Sequence, residues 1–160
     1  MNPLKGGWRW VHRLRASVFG LVIFAFFLPF MTLTCTVQPL QTPITGIQLI
    51  IGTQQPADNH LETQMPQIQP QPAAGVAFTA AWVGLASSFL RSRWGLWLPA
   101  GAGALGGTLL LLIKSRFDER VANEGAGMLR LEYHPGFWLA VGGFLAGYLV
   151  NCLLLNRTRS

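Results

Sequence analysis

Four apolar runs, set apart by polar or proline-rich segments, give this chain its pattern. The first lies between Arg15 and Thr34 and holds no charged side chain. At 1.5 Å of helical rise per residue, about 20 such residues cross the hydrocarbon core of a bilayer. The runs predict membrane helices over residues 16–33, 73–90, 95–113 and 136–155, in one domain covering 1–160. The expected fold class is an all-α membrane protein, a four-transmembrane-helix bundle. Only Arg91-Ser92-Arg93 and Trp94 separate the second run from the third, so these two form an antiparallel hairpin. Thr32-Leu33-Thr34 before Cys35 lacks the small residue of a lipoprotein signal, so the first helix is expected to remain uncleaved.

Between the runs the period changes. Leu33, Cys35 and Val37 alternate with threonines, and Leu129, Leu131 and Tyr133 alternate with Arg130 and Glu132. Period two predicts two strands, and both adjoin helix ends on one side of the bundle. They are expected to pair as a small extracytoplasmic β-sheet, with Pro39 and Pro43 confining the following residues to its edge. In TGIQLIIG (45–52), Thr45 caps a short helix and Gly52 ends it, with Ile47, Ile50 and Ile51 on one face. The outer loop, 34–72, becomes rich in Gln and Pro from residue 53 and favours extended backbone. In the outer segment, 114–135, Lys114/Asp118 and Arg120/Glu124 are opposite charges four residues apart. They carry the third helix about two turns beyond the bilayer.

Composition agrees with this picture. Of 160 residues, 51% are hydrophobic and 11% charged, and the formal net charge is +6. A basic chain can bind nucleic acid, but here the charges sort by topology. All six acids fall in 34–74 and 114–135, whereas eight of twelve basic residues fall at the N-terminus, at Arg91 and Arg93, and at Arg157 and Arg159. This positive-inside sorting places both termini in the cytoplasm and argues against nucleic acid as a partner. No ionisable residue lies within the predicted spans, which argues against ion-conducting or proton-relay chemistry.

Candidate chemistry is sparse. Cys35 and Cys152 stand near opposite ends of the predicted bundle, too far apart for a disulfide within the chain. No nucleophile–base pair, phosphate loop or metal-ligand spacing occurs, so neither catalytic nor metal-binding residues are expected, and no cofactor. His134, beside Trp138, is a conceivable haem or chlorophyll ligand, but a turn-completing histidine is the ordinary reading. Small residues recur every fourth position at Ala80/Gly84/Ser88, Ala102/Gly106, Gly103/Gly107 and Gly143/Gly147. Such spacing allows close helix approach within the bundle or against another subunit. Expected partner contacts are Gln54, Gln55, Gln64, Gln67, Gln69 and Gln71 of the outer loop, and Gly103, Gly107, Gly143 and Gly147 in the membrane.

The segments LPFMTLTC (28–35), TGIQLIIG (45–52) and EYHPGFWLA (132–140) resemble small four-helix bacterial membrane proteins of unassigned function. That resemblance implies a place in the bacterial cytoplasmic membrane. The layout also resembles claudin-type proteins, but their first-loop tryptophan and paired-cysteine pattern is missing, so their function does not transfer. The expectation is a non-catalytic accessory or structural subunit of a larger membrane complex, with an energy-converting one, respiratory or photosynthetic, as the class. Its partners would be membrane lipids and other integral subunits. The alternative is a free-standing module that binds a lipid, quinone or other apolar ligand.

Overall fold

The computed structural model of the chain describes residues 4–35, 41–52, 69–90, 94–124 and 129–157. They form α1 (Leu4–Ala25), β1 (Pro29–Cys35), β2 (Gln41–Thr45), α2 (Gly46–Ile51), α3 (Pro72–Ser87), α4 (Trp94–Glu124), β3 (Leu129–Tyr133) and α5 (Pro135–Arg157). The structure is mostly helical, with one small three-stranded sheet. The four long helices close a ring: α1 packs on α3, α3 on α4, α4 on α5 and α5 on α1.

Two helices, rather than the four expected, are long and apolar enough to cross a membrane among the described residues. They are Gly95–Asn123 and Pro135–Asn156. The first apolar run does not stay helical. After Ala25 the chain tightens into a turn whose N–H groups reach back three residues, from Phe26 to Ile23, Phe27 to Phe24 and Leu28 to Ala25. Leu28 precedes a proline and is pushed out of helical geometry, and Pro29 opens a strand, where its missing N–H costs least. The uncharged part of α1 is therefore only 16–25. The second run gives α3, which has 16 residues and starts on Pro72 at its first turn. It is shorter than a full span.

The sheet order is β2-β1-β3, both pairs antiparallel. The expected pairing of the two alternating segments is present, with Met31 opposite Tyr133 and Cys35 opposite Leu129. β1 starts four residues earlier than expected, while residues 36 and 37 lie outside the described residues. Pro43 sits in β2 at the sheet edge, as its lost donor requires.

α2 carries the expected cap. Thr45 Oγ1 accepts from the Gln48 N–H at 3.2 Å, Gln48 Oε1 accepts from the Thr45 N–H at 2.9 Å, and Gly52 closes the helix at φ 83°. Its packed face differs from the expected one. Gly46 and Leu49 are buried, Ile47 and Ile50 border the core, and Ile51 is 66% exposed. The Ile47 N–H donates to the Phe26 carbonyl at 3.1 Å, which docks α2 on the turn after α1.

Between the ends of the bundle, small residues let large ones through. Gly84 meets the Phe19 ring, Gly143 meets Val22, and Gly106 meets the Phe144 ring. A Cβ on Gly103 would stand 2.8 Å from the Phe144 carbonyl and the Tyr148 nitrogen, both backbone atoms that cannot swing away. Gly101, two residues earlier, has open space around it. Gly103→Ala should therefore destabilise the bundle by about 1–3 kcal/mol, in the range of overpacked cores. Gly101→Ala should leave it unchanged or slightly more stable. Thermal unfolding of both variants in one detergent checks this; equal midpoints would contradict the α4–α5 contact.

Candidate functional site

One end of the bundle holds a buried polar layer. On α1, Arg15 shares a stripe with Phe19, Val22 and Phe26 at spacings of four, three and four residues, so it points inward with them. It is 3% exposed. Its Nη2 donates to the carbonyl oxygen of Gly95, in the first turn of α4. That carbonyl is free for a specific reason. In an α-helix the N–H of residue i serves the carbonyl of residue i−4. Four residues after Gly95 stands Pro99, buried inside α4 and lacking an N–H. An unpaired buried carbonyl costs about 1–3 kcal/mol. Arg15 supplies the donor that Pro99 lacks.

The neighbouring helices add polar groups at the same level. Phe19 packs on Gly84 of α3 and Gly147 of α5. One helical turn further toward this end are Arg15 on α1, Ser88 just past α3, and Asn151 on α5. Ser87 Oγ donates to the Val83 carbonyl at 2.6 Å, and Ser88 Oγ to that of Gly84 at 2.7 Å. Asn151 Nδ2 donates to the Gly147 carbonyl at 2.7 Å. Two buried atoms, Arg15 Nε and Asn151 Oδ1, have no hydrogen-bond partner among the described residues.

A second polar group lies at the sheet end. Lys114 Nζ and Asp118 Oδ2 are 2.5 Å apart, as the i,i+4 spacing predicts. The Tyr133 hydroxyl donates to Asp118 Oδ1 at 2.7 Å, and Lys114 Nζ stands 4.7 Å from the Tyr133 ring centroid. This ties the tail of α4 to β3. Burial is the largest influence on the Asp118 carboxyl and raises its pKa, but the hydrogen bonds from Lys114 and Tyr133 and the Lys114 charge together outweigh it. The result lies below the ordinary carboxylate value. Burial first, then the hydrogen bond and charge of Asp118, push the Tyr133 phenol above its ordinary value.

His134 belongs to the sheet junction. Its Nε2 is 2.5 Å from Thr32 Oγ1, and its backbone N–H donates to the Phe30 carbonyl at 2.8 Å. Among the described residues no three His, Cys, Asp or Glu side chains gather closely enough to hold a metal. Gln69 is exposed. The Gln71 backbone N–H donates to the Leu49 carbonyl at 3.0 Å, linking α3 to α2. Gln54, Gln55, Gln64 and Gln67 lie outside the described residues. Gly103, Gly143 and Gly147 are buried and Gly107 half-buried. Of the two close approaches this spacing allows, the one within the bundle is made, against Phe144, Tyr148, Val22 and Phe19. The burial of this layer was not expected from the sequence, where Arg15 stands one residue before the first predicted span. Its place on the Phe19–Val22–Phe26 stripe, and the spacing of Pro99 from Gly95, are the signals that would have found it.

Two outcomes follow from these sites. Arg15→Met should cost about 1–3 kcal/mol by orphaning the Gly95 carbonyl. Pro99→Ala restores the N–H that this carbonyl lacks, so in that background Arg15→Met should cost about 1 kcal/mol less, measured as a double-mutant cycle in detergent. A purely additive cycle would refute the pairing. At the other end, the lowered Asp118 pKa means that its ionised form holds the α4 tail. Its contribution is present above the ordinary carboxylate pKa and is lost as pH falls through the lowered folded value. Hydrogen-exchange protection of residues 117–121 should drop over that window, and Asp118→Asn should show the drop already at neutral pH; a flat wild-type profile would count against the docking. No protein-family model, characterised protein or solved structure matches this chain.

Proposed function

We propose that this chain is an integral membrane protein that serves as a non-catalytic accessory subunit of a larger membrane complex. α4 and α5 cross the bilayer, with α1 and α3 packed alongside at the same depth. One observation carries the membrane reading: polarity is inverted. Large apolar side chains face outward on all four helices, among them Phe24 at 60%, Trp82 at 51%, Trp97 at 54% and Leu153 at 64% exposed, while Arg15, Ser87, Ser88 and Asn151 are inside. A soluble bundle would aggregate through such a surface, whereas hydrocarbon solvates it. The sorting of charge supports a cytoplasmic location for both termini and for the Arg15 layer.

Membership of a complex rests on the outer loop. Between Gly52 and Pro72 the sequence holds few large apolar residues and no Lys or Arg, but several prolines and glutamines. Such a segment gains little by folding on itself and offers backbone groups to a neighbour. The test is purification from native membranes in mild detergent, with wild type beside a variant deleted for residues 54–71. The wild type should bring larger integral subunits with it, and the deletion should stay membrane-inserted but lose most of them. Full recovery of the complex with the deletion would make the loop a passive linker. A lone wild-type monomer carrying an apolar ligand would favour the binding-module reading instead.

A further inference from the structure

The geometry points to a second copy of this chain as the partner of β3, paired edge to edge and antiparallel in a register centred on Leu131. This goes beyond the accessory-subunit reading and does not depend on it. β1 is the central strand, so β2 and β3 each have one outer side. Antiparallel strands direct the N–H and C=O groups of successive residues to opposite sides. The His134 N–H donates to the Phe30 carbonyl, and the register carries that parity along the ladder. Arg130 and Glu132 therefore turn their backbone groups toward β1. Those of Leu131 and Tyr133 turn outward, and no strand meets them among the described residues. By the same parity Pro43 and Thr45 face outward from β2. That edge is blunted: Pro43 has no N–H, and the Thr45 N–H is taken by Gln48 Oε1. β3 holds no proline and keeps its donors.

An open edge pairs with any strand unless side chains forbid it, and charged side chains do so in natural sheets. Arg130 and Glu132 lie on one face of β3, with side chains 79% and 60% exposed and 3.8 Å apart. Outward backbone groups occur only at the odd positions of β3, so a second β3 must set odd residues opposite odd ones. Centred on residue 130, this brings the two Arg130 side chains face to face; centred on residue 132, it does so for the two Glu132 side chains. Like charges directly opposite destabilise both arrangements. Centred on Leu131, Arg130 faces Glu132 of the partner subunit, and the partner's Arg130 faces Glu132. Both charges of each copy then find an opposite, and Leu131 exchanges backbone N–H and C=O bonds with the partner's Leu131. The register is self-complementary, as a two-fold contact requires. It joins the two three-stranded sheets into one.

The test is sedimentation of the full chain in a neutral detergent over a concentration series. Wild type should pass from monomer to dimer. Arg130→Glu turns both cross-strand pairs into Glu against Glu, and Glu132→Arg turns both into Arg against Arg. Each variant alone should therefore dimerise roughly tenfold more weakly than wild type. An equal mixture of the two variants makes both pairs opposite again, so it should dimerise at wild-type concentrations. The charge pair within each chain is lost in both variants, and mixing does not restore it, so recovery reads the contact between copies alone. A misfolded variant could not recover on mixing. Wild type that stays monomeric, variants that dimerise as wild type does, or a mixture no better than its components would each overturn the proposal. Larger subunits brought along from native membranes decide the accessory-subunit reading separately and leave this result as it stands.

Discussion

Everything at one end of this bundle depends on the carbonyl of Gly95. Pro99 removes the N–H that would normally cap it, and Gly95 itself is buried. A Cβ on Gly95 would stand only 2.2 Å from the Leu90 carbonyl, so the close approach of these two residues admits no side chain there. Water has little access to this position. The donor must come from another helix, and only a long side chain reaches it. Arg15 does so from α1, on a helix that is not among the principal neighbours of α4, and so links α1 to α4 across the ring. On the proposed membrane reading this matters more than it would in water. Apolar association between helices loses its hydrophobic drive in lipid, leaving packing and hydrogen bonds to hold them together.

The other end is closed by backbone. β1 is the central strand and continues directly from the turn after α1, while β3 leads directly into α5. Pairing β1 with β3 therefore fixes the C-terminal end of α1 against the N-terminal start of α5, and the His134 bonds to Thr32 and Phe30 complete that corner. α2 then closes over Phe26 and Phe30, with Gly46 allowing the contact. Between the two clamps the helices touch through glycine: Phe19 and Val22 of α1 lie on Gly84, Gly143 and Gly147. The polar layer, the glycine contacts and the sheet thus fix the ring at three heights.

Much of this was legible in the sequence, and the failures have physical causes. The α3–α4 hairpin, the extension of α4 past Ile113, the Thr45 cap and the pairing of 129–133 all followed from spacing that local physics enforces. The end of α1 did not. Phe30, Met31 and Thr32 are all buried, because β1 is central and covered on both faces, so no alternation marked where helix became strand. Pro29 stands inside an unbroken apolar run, where a proline is as compatible with a kinked membrane helix as with a helix stop. The burial of Arg15 is hidden in the sequence because it stands two residues from exposed Arg13 in the same basic flank. One residue's difference in position turns a helical side chain by about 100°, so Arg13 and Arg15 face opposite ways. The glycines were recognised as contact residues, but their spacing does not tell an internal partner from an external one.

The central claim, that Arg15 occupies the carbonyl released by Pro99, is open to a direct distance measurement. With nitrogen-15 in the arginine side chains and carbon-13 in the Gly95 carbonyl, solid-state magnetic resonance of the protein in lipid reads the separation itself. A guanidinium nitrogen donating to that carbonyl should lie about 4 Å from the carbonyl carbon, given ordinary hydrogen-bond and C=O lengths. Dipolar recoupling of that strength, assigned to Arg15 and absent in Arg15→Met, is the predicted result. No coupling from any arginine to the Gly95 carbonyl would contradict the account.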